Sequence, residues 1–321
     1  MKKINIRVVT TVLVSTLTFG LIGLAATSSI ANAAQSPVDL QTATPFAILA
    51  GTPGITDAGN ASVINGSVGL SPATGAGIGL LCTQVTGGTI YSVDATGPLP
   101  CRVTNGPLMV TAKNHLDAAF TDAAGRTPVT TVPTELGGTT KIAGVYDSSS
   151  TTFGITAGAG PLVIDGQGDP SSVFIFEMGF NGTGLNVGPG STVSLINGAS
   201  ECNIFWKVDT AAINTTAAFK GNVLALNSIS VANGATIQGR LLARNGNVSL
   251  INDTINAATC TGTSGGSGSG GSGSSNSVVP KLPNTGAKSM DRNAIIWSVV
   301  AVTGVIVTLL VLYFTRKKRV V

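Results

Sequence analysis

The sequence predicts a mainly β fold of the solenoid class with a single helix beside it, on three observations. Between residues 34 and 260, short β-branched runs alternate with glycine and asparagine turns, as in SVINGSV, STVSLINGA and NSISVANGATIQGRLLARNGNVSLIND. Apolar runs this short, bounded by turn formers, are strands. Second, the runs recur at a fixed distance. Phe219 aligns with Ile237, Gly221 with Gly239, Leu224 with Leu242 and Ala225 with Ala243, always 18 residues apart, and Ile229 matches Val248 at 19. VINGSVGL from Val63 echoes TIQGRLLA from Thr236. A β-sandwich also has many short strands, but a constant offset is expected of coils that bury an apolar edge against the next coil. Alternation within a coil places Ile229, Val231 and Ile237 inward and Ser228, Ser230, Thr236 and Gln238 outward.

The third observation is one segment that breaks the β pattern. In GPLMVTAKNHLDAAFTDAAGRTP the apolar residues Met109, Ala112, Leu116, Ala119, Phe120 and Ala123 fall at helical spacing. Pro107 suits a first turn and Gly125 a C-terminal cap, so the spacing predicts one amphipathic helix over 108–124, packed along the coils. His115, the only histidine, lies on it and reads as a surface or half-buried residue.

Both ends of the chain stand apart from this body. Lys2, Lys3 and Arg7 precede an apolar run that closes on Ala31-Asn32-Ala33, which predicts a secretory signal peptide over 1–33. Residues 34–260 form the body. A Gly/Ser-rich linker, 261–281, follows it. Residues 294–314 carry no charge over 21 positions, enough to span a bilayer, and the basic tail 315–321 places the C-terminus in the cytoplasm. The body is therefore expected outside the cell.

Composition excludes several functions. Residues 34–286 hold 9 basic and 13 acidic residues, a net of −4, although the whole chain is +4. The basic character belongs to the ends, so no nucleic-acid footprint is present. Cys82, Cys101, Cys202 and Cys260 lie in the exported part, where an even number suggests disulfides. Three pairings are possible, and proximity favours Cys82–Cys101 and Cys202–Cys260. No C-x-x-C spacing and a single histidine argue against a metal site. Asp165 and Asp169 in IDGQGDP read as turn formers rather than a catalytic carboxylate pair. No enzymatic constellation and no cofactor are expected.

Two resemblances sharpen the expectation. LPNTG (Leu282, Pro283, Asn284, Thr285, Gly286), then the apolar run and RKKR, resembles the sortase sorting signal of Gram-positive surface proteins. It implies that sortase cleaves after Thr285 and joins it to peptidoglycan, so that the membrane span is a transient intermediate. The body, from VDLQTATPFAILAG through LVIDGQGDPSSVFIFEMG and VSLINGASECNIFWKV to FKGNVLALNSISVANGATIQGRLLARNGNVSLINDTI, resembles the microbial ice-binding-like family. That resemblance implies a right-handed, discontinuous β-solenoid of triangular section with one long α-helix alongside. It also implies a flat face that adsorbs to ice without a cofactor. The family's T-A/G-x-T/N motif falls on Asn233-Gly234-Ala235-Thr236, and one coil earlier on Thr215-Thr216-Ala217-Ala218, with departures at several places. Thr215, Asn233, Thr236 and Gln238 are accordingly the ice-face residues expected from sequence. Lys220 beside them fits poorly with a flat water lattice. The alternative is a surface adhesin or structural wall protein of the same fold that holds a carbohydrate or a protein.

Overall fold

A computed structural model of the protein describes residues 35–178, 184–257 and 260. The chain divides into two compact units, Met1–Gly262 and Thr263–Val321, and every described residue lies in the first. The signal segment, the linker, the LPNTG motif, the apolar span and the basic tail lie outside the described residues.

Short strands survive here because most are paired on both sides, only the strands at the sheet ends having one neighbour. All strand pairs are parallel, and successive passes of the chain lay strands into three sheets. The 18-residue offset is the ladder itself: Phe219 pairs with Ile237, Gly221 with Gly239, Leu224 with Leu242 and Ala225 with Ala243. Ile229 pairs with Val248 in the same way. The fold is thus mainly β with parallel, solenoid-like coils. Inside the coils the large side chains form their own ladder. Tyr146, Phe176 and Trp206 occupy one register row, with Phe176 and Trp206 stacked at 4.1 Å between centroids.

Strand order explains the helix. The long sheet runs Arg102–Thr104, Ile90–Ser92, Ser67–Leu70, Phe46–Ala50, Thr236–Ala243, Ala218–Ala225, Ile204–Val208, Phe174–Glu177, Gly144–Ser148, Val129–Val132. The chain therefore starts mid-stack, builds to one end, and must reach the opposite end before continuing. Nine strand steps of ~4.8 Å make about 43 Å. The helix α1 (Gly106–Ala124), 19 residues long, covers about 28 Å of that at ~1.5 Å per residue, and extended residues on either side close the rest. The last coil then returns beside the first, with Leu241 opposite Ile48.

The helix begins two residues before the expected Leu108. Asn105 caps it by accepting from the Leu108 N–H at 3.1 Å, and Pro107 sits in the first turn, where a missing N–H is harmless. Its buried face, Met109, Ala112, Leu116, Ala119, Phe120 and Ala123, is the expected one. It packs on Leu49, Val145, Ile175, Phe205, Leu224 and Leu242 of the long sheet and on Val173 just before strand Phe174–Glu177. Lys113 lies in this contact, and its Nζ donates to the carbonyls of Ala243 at 2.6 Å and Arg244. Desolvation pulls it down to about 8. Arg244 adds an ion pair to Asp117 at 2.6 Å. His115 is half-buried and meets the Thr42 hydroxyl at 2.8 Å. The central strands of the long sheet are thereby covered on their outer side, while Val103 and Val129 on its end strands stay exposed.

Both disulfides follow sequence proximity: Cys82–Cys101 and Cys202–Cys260. Asp165 and Asp169 are turn residues. Asp165 accepts from the Gln167 N–H at 2.8 Å, and Asp169 from the Ser171 N–H at 2.8 Å.

Candidate functional site

With the central strands of the long sheet covered, two sheet surfaces remain open. The first belongs to the seven-stranded sheet, in the order Thr152–Ile155, Gly184–Val187, Ala211–Ile213, Ile229–Val231, Val248–Leu250, Ile55–Asp57, Ile78–Gly79. Each strand is three or four residues with apolar flanks pointing in, except Ile55–Asp57, where Asp57 is one buried flank, and the two-residue strand at the end. Ile229 and Val231 are buried while Ser230 between them is exposed. Register carries the outward residues into one unbroken row: Gly154, Asn186, Ala212, Ser230, Ser249, Thr56, Gly79. No member is charged and none is larger than asparagine. Six steps of ~4.8 Å give the row a length of about 29 Å. Side chains at its margins are fixed by each other. Asn214 Nδ2 donates to Asn186 Oδ1 at 3.0 Å and to the Val187 carbonyl at 2.8 Å, and Ser228 donates to Asn247 Oδ1 at 2.8 Å. Fixed polar groups have no rotamer freedom left to lose when they meet a solid surface.

The second open surface combines the three-stranded sheet Thr140–Lys141, Leu162–Asp165, Val193–Ile196 with strands Thr254–Asn256, Val63–Asn65 and Val85–Thr86 and the first halves of Ala218–Ala225 and Thr236–Ala243. Two outward rows line it: Lys220, Gln238, Asn256, Asn65, Thr86, and beside it Ala218, Thr236, Thr254, Val63. The Lys220 ammonium donates to the Gln238 side-chain carbonyl. Longer side chains and a cation make the first of these rows rougher and more strongly hydrated than the row on the seven-stranded sheet.

The four residues expected from sequence divide between these surfaces and the edge joining them. Thr236 and Gln238 stand on the second surface. Thr215 and Asn233 are exposed in the turns that join the two, where Thr216 N–H donates to the Asn233 carbonyl at 3.2 Å and Asn252 Nδ2 to Asn233 Oδ1 at 2.8 Å. Sequence reasoning marked Ser230 as outward but did not collect the full row. Its signal is a small residue between two inward apolar ones, as in ISV, VSL and AAI.

The same edge is stiffened by two buried carboxylates. Burial alone would raise Asp57, but N–H groups of Ser62 and Asn252 and the Gln84 amide hold it below the ordinary carboxylate value. Burial dominates at Asp253, 1 % exposed, and pushes it up to about 6, with the Asp57 charge adding to the rise. Asp253 accepts from Ala235 N–H at 2.9 Å and Ile251 N–H at 2.7 Å, so it ties two adjacent turns together. The folded pKa lies above the unfolded one, so the folded state holds the extra proton between about pH 4 and 6. Stability from this group therefore grows as pH falls through that window and is withdrawn as pH rises. Burial raises Glu177 in the same direction, while Lys113 titrates above the window. Melting curves between pH 7.5 and 5 are expected to show the rise, and Asp253→Asn to flatten it; an unchanged slope in that variant would refute the assignment.

Among the described residues, no group of three or more His, Cys, Asp or Glu could hold a metal ion. No helix among them is long and apolar enough to cross a membrane. Parallel coils with a helix along one sheet and two sheet surfaces left open define a solenoid-like β fold. The Ice-binding-like family model matches residues 48–256, and the chain belongs to that family. An ice-binding protein of Colwellia sp is 41% identical over 226 residues, covering 69% of this chain and 84% of that protein. One from Flavobacterium frigoris is 38% identical, covering 64% and 72%. Among solved structures, an ice-binding protein from an Antarctic biological consortium is 34% identical with a TM-score of 0.61, covering 70% of this chain and 93% of that one. The ice-binding domain of Shewanella frigidimarina gives 27% and 0.63, covering 71% and 99%.

Proposed function

We propose that this protein adsorbs to ice through the outer surface of the seven-stranded sheet, and that it does so from a Gram-positive cell wall. The observation that carries the reading is the row from Gly154 to Gly79: uncharged, short and in register from strand to strand. Small apolar groups between fixed hydroxyls and amides leave first-shell water few alternative orientations. A charged side chain there would hold its own hydration shell against the lattice. The coil is right-handed and triangular in section on this proposal, which keeps each surface flat over its length. Thr215 and Asn233 extend the contact at the edge, and Thr236 and Gln238 stand around the corner from it. The activity is binding, with no catalytic step and no cofactor.

Placement outside the cell rests on the sequence. Secretion through residues 1–33, membrane retention through 294–314, and sortase transfer of Thr285 to peptidoglycan would leave the body on the linker outside the wall. It would there attach the cell to ice or restrain recrystallisation nearby. The adhesin reading is favoured by one observation, the Lys220–Gln238 pair on the second surface, which suits a hydroxylated or charged ligand better than ice. Thermal hysteresis and ice-recrystallisation inhibition of residues 34–260 separate the two. Activity at tens of micromolar supports ice adsorption. Ice growth indistinguishable from a non-binding control leaves the adhesin reading.

A further inference from the structure

Cys260 directly precedes the Gly/Ser-rich linker, residues 261–281, so its place in the fold decides how a tether can load the body. Each coil passes from the seven-stranded sheet to the second surface and then to the long sheet. Cys260 follows strand Thr254–Asn256, and Cys202 sits in the turn before strand Ile204–Val208. Both lie at the corner between the second surface and the long sheet, which is the corner that does not border the seven-stranded sheet. Thr254–Asn256 is also internal to the stack, with Thr236–Ala243 on one side and Val63–Asn65 on the other.

Two buried polar side chains tie this corner together. Arg240 is 2 % exposed and Asn222 0 %. Arg240 Nη1 lies 2.9 Å from Asn222 Oδ1 and 3.5 Å from Cys260 Sγ, and its Nε donates to the Thr44 carbonyl at 2.7 Å. Asn222 Nδ2 donates to the carbonyls of Glu201, Cys202 and Ile204 at 3.1–3.3 Å. The lattice thus joins both cysteines, two further coils and the start of the first strand.

We propose that the Cys202–Cys260 disulfide, locked to the coils by Arg240 and Asn222, is the load-bearing attachment point of the tether. It is set within the stack, on the edge opposite the ice-adsorbing surface. Both parts rest on the function proposed above, the orientation on ice adsorption and the load on anchoring through the linker, and the pulling experiment reads the second without the first. Without the bond, tension on the linker would act on a three-residue strand and open its ladder one bond at a time. With it, tension passes to residue 202 and must shear longer strands together. A tether leaving the back edge within the stack also lets the opposite surface lie flush on a solid, whereas one leaving an end would tilt it.

Single-molecule pulling on the exported chain, residues 34–286, held at its two ends, tests this. The double variant Cys202→Ser/Cys260→Ser is expected to show an added low-force step of about 20–25 Å as residues 254–260 peel away. Wild type is expected to lack that step. Reduction of folded wild type during the pull repeats the comparison if the variant fails to fold. Equal first-rupture forces and no early step, in variant and reduced protein alike, overturn the clamp. At zero load the double variant is expected to keep ice-recrystallisation inhibition within twofold. Loss of activity in wild type too would sink the ice reading and leave the force result to decide the clamp.

Discussion

Ser230→Tyr is expected to lower thermal hysteresis at least tenfold while leaving the melting temperature unchanged. Ser230 is exposed at the middle of the row, between Ala212 and Ser249, with its neighbours Ile229 and Val231 buried. A tyrosine there points away from the core and disturbs no packing, so stability is expected to hold within about 0.5 kcal/mol. It stands above side chains no larger than asparagine and separates the sheet from a flat lattice on both sides. Tenfold corresponds to about 1.4 kcal/mol of adsorption free energy. The companion variant Thr236→Tyr decides between surfaces. Thr236 lies beyond the turn, in register with Ala218 and Thr254, and is expected to retain at least half the activity. The reverse pattern would assign ice to the second surface and to the residues inferred from the T-A/G-x-T/N motif.

Gly239→Ala is expected to destabilise the body by about 3 kcal/mol, a fall in melting temperature of roughly 6–12 °C. Gly239 has φ 148°, and a Cβ built there lies 1.9 Å from the Gly221 carbonyl oxygen. Gly221, its register partner, has φ 112° and would place a Cβ 2.7 Å from Ile204 Cγ2. These glycines bend two adjacent eight-residue strands through the corner, so each passes from the second surface into the long sheet. Backbone oxygen cannot swing aside as a side chain can, and the alanine must displace the neighbouring coil. Gly158→Ala is the control: nothing lies within 4 Å of its Cβ position, and a change within about 0.5 kcal/mol is expected. Matched melting temperatures for the two variants would show that the corner yields freely.

Much of this architecture was legible because a parallel ladder writes its register into the sequence. Residues that stack, such as Leu224 and Leu242, share an environment and therefore a residue type, and the spacing between them is one coil. The helix was equally readable from Met109 to Ala123, and Asn105 was missed because its capping role needs the turn before it. The buried charges were not readable. Lys113, Lys207 and Arg240 look like solvated residues in the sequence, yet each reaches carbonyls freed at strand ends or helix edges. The candidate surface was only partly readable for a different reason. Offsets align coils with each other but do not say where each coil turns, so Asn233 fell in the turn at the edge and Thr236, three residues on, on the second surface. The insertion of Phe46–Ala50 beside Thr236–Ala243 has no local signature at all, because the two strands lie far apart in the chain.

The most direct measurement is retention of fluorescently labelled body by a single ice crystal grown slowly in its solution. Wild-type protein is expected to enter the ice and colour it, Thr236→Tyr to do the same, and Ser230→Tyr to be pushed into the liquid. Colour retained equally by Ser230→Tyr, or wild-type protein swept wholly into the liquid, contradicts adsorption through the seven-stranded surface.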